Sequence, residues 1–427
     1  MHLIQRPPKI FFGWWIVGAT VLISLYIGGV IHFGFTAVVE PIAEEFGWSY
    51  AQISLASSLR GLEMGLLAPL SGLLADRWGS RRLVFGGSIL IGLGLLTLSR
   101  VSSLGTFYLA FALMAIGMSA CMGTVLVTVV ANWFRKKAVI AIGVMTCGFG
   151  LGGLLVPVVT LLIDILEWRT AMLTLGLGMV VIVMPLSFLL RHKPERYGYL
   201  PDGDVSSSPE TSEVHTSPES VEISVPAKQA LKTSAFWHIA LSSMCHSFVV
   251  GAVVTHVMPF LSSIGIIRST ASLVALALPV VSICGRLGVA WTRDKLDERR
   301  IYAASFVLMA IGMLCFGYVA GGVTWLLVPF IIVFSFGWGG SVTARLTLLR
   351  KYFGRMSFGT ILGFSSGVMM VGHIAGAPLA GWVFDTYGSY QGVWFGFVFL
   401  SLLGLVLMLT APRIGNIVTG NDNPRTQ

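Results

Sequence analysis

Apolar runs of membrane-spanning length recur along the whole of this chain. A helix needs about 20 mostly apolar residues to cross the hydrocarbon layer. Twelve segments meet that need, near 12–35, 50–74, 83–101, 105–131, 138–163, 170–190, 236–262, 269–291, 301–319, 324–347, 358–383 and 391–412. In lipid every backbone N–H and C=O must find a partner inside the protein, so such runs fold as helices. The expected fold class is therefore an all-α membrane protein. Only 11% of the 427 residues are charged, against roughly a quarter in soluble domains. The basic N-terminus and apolar run that follows resemble a signal peptide, but the run continues past His32. It reads as the first transmembrane helix.

One connection differs from the others. Residues 191–235 include DGDVSSSPETSEVHTSPES, polar and rich in Ser, Pro and Glu, a composition that cannot bury a core. The expected domains are thus an N-terminal six-helix bundle (1–190), a cytoplasmic, disordered linker (191–235), a C-terminal six-helix bundle (236–412) and a cytoplasmic tail (413–427). Lys and Arg set the orientation. With both termini cytoplasmic, the inner loops hold Arg77, Arg81, Arg82, Arg135, Lys136, Lys137 and the basic residues of 191–193, 293–300 and 350–355; the outer loops hold Arg100, Arg169 and Arg268. This asymmetry explains the net charge of +9 without nucleic acid. The expected location is the plasma membrane, the inner membrane in a bacterial cell, and the expected state a monomer.

The two halves echo one another. GLLADRWGSRR (72–82) is answered by GRLGVAWTRDKLDERR (285–300), with Asp294 lying 218 residues after Asp76. Pro157 and Asp164 are answered by Pro378 and Asp385, each 221 residues on. A tandem repeat of this kind suits two bundles that rock about a central site.

GLLADRWGSRR resembles the signature loop of the major facilitator superfamily. FFGWWIV (11–17), RHKPERYGYLPDG (191–203), HVMPFLSSIGI (256–266), GRLGVAW (285–291) and GAPLAGWVFDTYGSY (376–390) look like the monocarboxylate transporter and oxalate–formate antiporter branch. The resemblance implies the two-bundle major facilitator fold, and a gating role for Asp76, with Asp294 as its echo. Arg77 and Arg81 belong to the same latch or serve as basic anchors. It also implies a substrate-binding arginine on helix 8, where Arg286 sits, and a histidine, His256, that touches substrate or proton. Animal members carry a lysine on helix 1, where the nearest candidate here is His32. The oxalate–formate branch carries one on helix 11, where this chain has His373. Histidine in place of a fixed charge favours a monovalent anion. Animal members also carry an aspartate one turn before the helix 8 arginine; here that position is Ser282, which argues against proton coupling through an Asp–Arg pair.

Charges at membrane depth are functional candidates by default. Lys is absent from all twelve segments, and the arginines at depth within them are Arg60, Arg286 and Arg345, Arg100 standing at the outer end of its segment. A guanidinium fits a carboxylate bidentately, which supports Arg286. Arg60 and Glu63 share a face by their spacing. They form either an internal ion pair or a proton-coupling pair in which Glu63 takes the proton. Arg345 is expected to snorkel to the cytoplasmic interface. His246 reads as a buried imidazole bonded to a backbone carbonyl. Trp338 and Tyr26 are candidates for an apolar cavity wall.

These residues point to a secondary transporter of a small organic anion, a monocarboxylate such as lactate or pyruvate, moved by proton symport. The alternatives are an organic anion exchanger and a proton-driven exporter of amphipathic compounds. An enzyme is disfavoured, because no nucleotide loop and no nucleophile–base pair is evident. The histidine spacing makes no metal site, and no cofactor is expected. The expected partners are a carboxylate substrate, protons and the lipid bilayer.

Overall fold

The computed structural model describes residues 11–62, 66–134, 137–191, 194–197, 199, 202, 225–292, 297–354 and 358–412. Among them the regular structure is helical throughout, with no strand. Ten segments of the described residues are long and apolar enough to cross a membrane. One of them, Ile140–Leu189, runs for 50 residues and contains Glu167 at φ 64, outside the helical region. Large apolar side chains point outward, among them Val181 at 72% and Phe399 at 73% exposure. In water that surface would be costly, whereas against lipid tails it is the ground state.

The chain forms two compact units. The first combines Met1–Val38 with Leu66–Val214, and the second combines Val39–Gly65 with His215–Gln427. The sequence repeat places the division in the linker, whereas packing groups residues 39–65 with the second half.

The first unit begins with α1 (Phe12–Ile27), which runs into a π-helical segment, Gly28–Phe33. α2 (Thr36–Phe46) crosses from the first unit into the second, and α3 (Tyr50–Leu62) lies in the second. α4 (Ala68–Trp78) returns to the first. Gly79, in the signature loop, has φ 82 and turns the chain from α4 into α5 (Ser80–Ser99), a conformation that glycine adopts without steric penalty. α6 (Leu104–Cys121) starts on a capping box between Ser103 and Thr106, which satisfies end N–H groups. α7 (Thr124–Trp133), α8 (Ala138–Leu151), α9 (Val156–Gly178) and α10 (Met184–Leu189) complete the unit. The Arg169 guanidinium donates to the carbonyls of Ser99 and Val101 at 3.1 and 3.0 Å, closing the C-terminal end of α5.

The second unit holds the short α11 (Ala227–Ala230), then α12 (Ser234–Ser263), α13 (Arg268–Thr292), α14 (Glu298–Val319), α15 (Leu327–Phe353), α16 (Phe358–Tyr387) and α17 (Gln391–Thr410). Thr233 and Asp297 cap α12 and α14. α13 and α15 approach until their backbones meet: a Cβ on Gly339 would overlap the Ser282 carbonyl, and one on Gly285 would overlap the Phe336 carbonyl. Small residues permit this in membrane helices, where dispersion and close backbone approach drive association.

The same unit shows why residues 39–65 belong to it. Proline has no N–H, so Pro378 within α16 leaves the carbonyl of Ile374 without its helical partner. Ser58 Oγ of α3 donates to that carbonyl at 2.5 Å. The Asp385 carboxylate accepts from the backbone N–H groups of Tyr50 and Ala51 at 3.0 and 2.9 Å. It thereby caps α3 from another helix, where the free N–H groups favour an anion. Glu40 and Arg268 form an ion pair at 3.5 Å.

Candidate functional site

The second unit gathers polar groups at two levels along α12. His246 and His256 are ten residues apart, so about 15 Å separates them along the helix. Each organises a different set of neighbours.

His256 is fully enclosed. Its Nε2 lies 2.9 Å from the Ala377 carbonyl and 2.9 Å from Ser54 Oγ, and its Nδ1 lies 3.0 Å from Tyr390 Oη. A carbonyl only accepts, so Nε2 carries the proton and donates to it. Rings of Tyr50, Phe260, Phe384 and Trp394 complete an aromatic shell around His256 and Tyr390. Sequence reasoning found His256 but not its partners, which come from α3, α16 and the start of α17.

His246 sits at the other level, 5% exposed. Its Nδ1 lies 2.8 Å from Ser341 Oγ of α15, which also donates to the Trp338 carbonyl at 2.7 Å. The expected partner was a backbone carbonyl; the actual one is a hydroxyl on a neighbouring helix. Arg345, Arg286 and His373 all lie within electrostatic range of this imidazole. They come from α15, α13 and α16. Arg345 Nη1 reaches Ser365 Oγ of α16 at 3.5 Å, and the guanidinium also acts on Tyr302, whose hydroxyl bonds to Ser243 at 3.0 Å. Among the described residues no carboxylate is paired with Arg345. The snorkelling expected of Arg345 is therefore corrected: one helical turn beyond Ser341, it shares that residue's inward face and joins the cluster. Its five-residue spacing from Arg350 misled, because spacing along one helix says nothing about what the next helix offers.

The glycine contact between α13 and α15 sets this cluster. The same Cβ on Gly339 that would strike Ser282 would stand 3.1 Å from the backbone nitrogen of Arg286, so the two arginine-bearing helices are held at backbone distance. Ser282 donates to the Pro279 carbonyl at 2.7 Å and is fully buried; its hydroxyl is engaged within its own helix. His373 is 8% exposed, and a Cβ on Gly251 would lie 3.2 Å from its Nδ1, so α12 and α16 meet closely there. Trp338 is 4% exposed, and it takes part through its carbonyl.

The remaining candidates lie elsewhere. In the first unit, the Tyr26 hydroxyl donates to the Leu175 carbonyl at 2.7 Å, which ties α1 to α9. His32 lies in the π-helical segment, its ring 4.9 Å from Phe33 and 5.1 Å from Phe149. π segments often mark functional positions. Arg77 and Arg81 are exposed, and the Arg81 guanidinium stands 4.5 Å over the Phe188 ring, a cation–π contact. Glu63 and Asp294 lie outside the described residues, as do the side chains of Arg60 and Asp76.

Comparison with known proteins bears on the family. Several curated relatives are monocarboxylate transporters. Monocarboxylate transporter 12 of Rattus norvegicus is 25% identical over 421 residues, covering 93% of this chain and 85% of the relative. Monocarboxylate transporter 11 of Mus musculus is 24% identical, covering 95% and 89%. Monocarboxylate transporter 7 of Homo sapiens is 21% identical, covering 96% and 88%. Among solved structures, a bacterial homolog of the human lysosomal transporter Spinster, inward-facing and unoccupied, matches with a TM-score of 0.74 at 14% identity, covering 98% of this chain and all of the other; that likeness shows the fold. The family model of the Major Facilitator Superfamily matches residues 11–295 and 247–425. The chain belongs to the Major Facilitator Superfamily, and the relatives it resembles there are monocarboxylate transporters.

Proposed function

We propose that this protein is a secondary active transporter of a small organic anion, a monocarboxylate such as lactate or pyruvate, working by proton symport and alternating access. One observation carries the reading: Arg286 and Arg345, on helices held together by glycine, lie within electrostatic range of the same buried imidazole. A guanidinium's planar fork matches a carboxylate, and in this reading that of Arg286 holds the carboxylate of the substrate. His373 belongs to the wall of the same cluster, and His32 and Tyr26 are assigned to substrate contact within the first unit. His256, with both nitrogens engaged, is assigned to holding α3 against α12, α16 and α17. Glu63 is assigned the coupled proton, with Arg60 as its partner. Asp76, Arg77, Arg81 and Asp294 are assigned to gating.

The reading includes a topology. Dividing Ile140–Leu189 at Glu167, and counting Tyr50–Trp78 as a span, raises ten apolar segments to twelve. Six fall on either side of the linker, with both termini cytoplasmic in the plasma membrane, and the protein acts as a monomer.

The test is uptake by proteoliposomes of labelled lactate, pyruvate, acetate and oxalate, with and without an inward proton gradient. Gradient-driven accumulation of a monocarboxylate is expected. Counterflow without gradient dependence would identify an exchanger instead, and failure of every carboxylate to accumulate or exchange would remove the reading. Arg286→Lys is expected to lower uptake efficiency about tenfold or more, since an ammonium cannot reproduce the bidentate fork. Unchanged efficiency would show that Arg286 is not the carboxylate site.

A further inference from the structure

The hydrogen bonds around His246 have a direction. A serine hydroxyl has one proton, and Ser341 gives it to the Trp338 carbonyl. Toward His246 the same oxygen can only accept, so the imidazole Nδ1 carries a proton and donates across 2.8 Å. That leaves Nε2. Among the described residues it takes no hydrogen bond, yet it is not one of the polar atoms sealed without a partner, and the residue keeps 5% of its surface accessible. His246 is 5% exposed and its described hydrogen-bond partner is a hydroxyl, not a carboxylate, and a buried charge without a counter-ion is costly. The imidazole is then the neutral member of the cluster. With Nδ1 protonated, its Nε2 is a lone pair facing accessible space.

The cluster thus offers two kinds of recognition. The guanidinium groups only donate, and they suit a carboxylate. The imidazole Nε2 only accepts, and a carboxylate gives it nothing. A hydroxyl on the carbon next to the carboxylate would. We propose that His246 is a specificity-determining residue: its Nε2 accepts a hydrogen bond from the substrate's hydroxyl, so that the protein selects 2-hydroxycarboxylates over 2-oxo and unsubstituted monocarboxylates. Ser341 is the positioning residue that fixes the tautomer. This rests on the reading of the arginine cluster as the carboxylate site.

The experiment compares uptake efficiency for L-lactate, pyruvate and propionate by the full-length chain in proteoliposomes under one proton gradient. A site that hydrogen-bonds a substrate hydroxyl rejects analogues lacking it, because its own polar group is then left unpaired. Wild type is expected to favour lactate over propionate and pyruvate by about tenfold or more. His246→Leu should lower lactate uptake more than propionate uptake, bringing the lactate-to-propionate ratio close to one. Ser341→Ala keeps the imidazole but frees its tautomer, and should narrow the ratio in the same direction. It serves as the deciding variant if His246→Leu does not fold. Equal use of lactate and propionate by wild type, or an unchanged ratio in either folded variant, overturns the proposal while leaving monocarboxylate transport intact. If wild type accumulates none of the three, the transport reading fails and this proposal with it.

Discussion

Asp385 commits both carboxylate oxygens to the backbone of a helix more than three hundred residues away in sequence. Carboxylates at helix ends are worth about 0.5–2 kcal/mol through capping. Asp385→Asn keeps the size but loses the charge and one acceptor. It is expected to lower the stability of the purified protein by about 1 kcal/mol, seen as a lower midpoint in thermal unfolding; an unchanged midpoint would mean that the cap contributes nothing. The sequence shows Asp385 as the echo of Asp164 and no more, since its partners are backbone atoms and any residue type supplies those. Arg286, His246, His256 and His373 are legible as unusual residues at membrane depth. Their grouping is not: His246 joins the arginines and His256 joins tyrosines because of which helices flank α12. Nor could spacing reveal that Pro378 in α16 exposes a carbonyl that Ser58 then satisfies.

Helices and their contacts were easier to anticipate. Apolar length identified most of the spanning segments, because lipid allows few alternatives to a helix. What length cannot reveal is where a helix departs from regularity: the π turn at Gly28–Phe33, the break at Met122–Gly123 in front of α7, and the non-helical Glu167. The tightest contact is between α13 and α15. Gly339→Leu would drive a side chain into the Ser282 carbonyl, and overpacking of this sort costs about 1–3 kcal/mol or forces the helices apart. It would also move Arg286 away from Arg345. Loss of lactate uptake together with a lowered unfolding midpoint is therefore expected. Retention of both would mean that the two helices adjust independently of the cluster.

For the whole molecule, the basic-loop bias makes a prediction about sidedness. Lys137 and Ser389 are both exposed at ends of helices, and the proposed topology puts them on opposite faces of the membrane. In intact cells a membrane-impermeant maleimide should label Ser389→Cys and reach Lys137→Cys only after permeabilisation. The reverse pattern would invert the topology. The seating of residues 39–65 in the second unit carries a genetic consequence. The internal repeat would let a gene be divided at the linker, but neither fragment would then encode a complete unit. The second would lack α3 and the carboxylate of Asp385 would have no helix end to cap, so the fragments could complete themselves only by lending a segment from one to the other, as swapped protomers do. The repeat marks how the chain is written, and the folded units cross that mark.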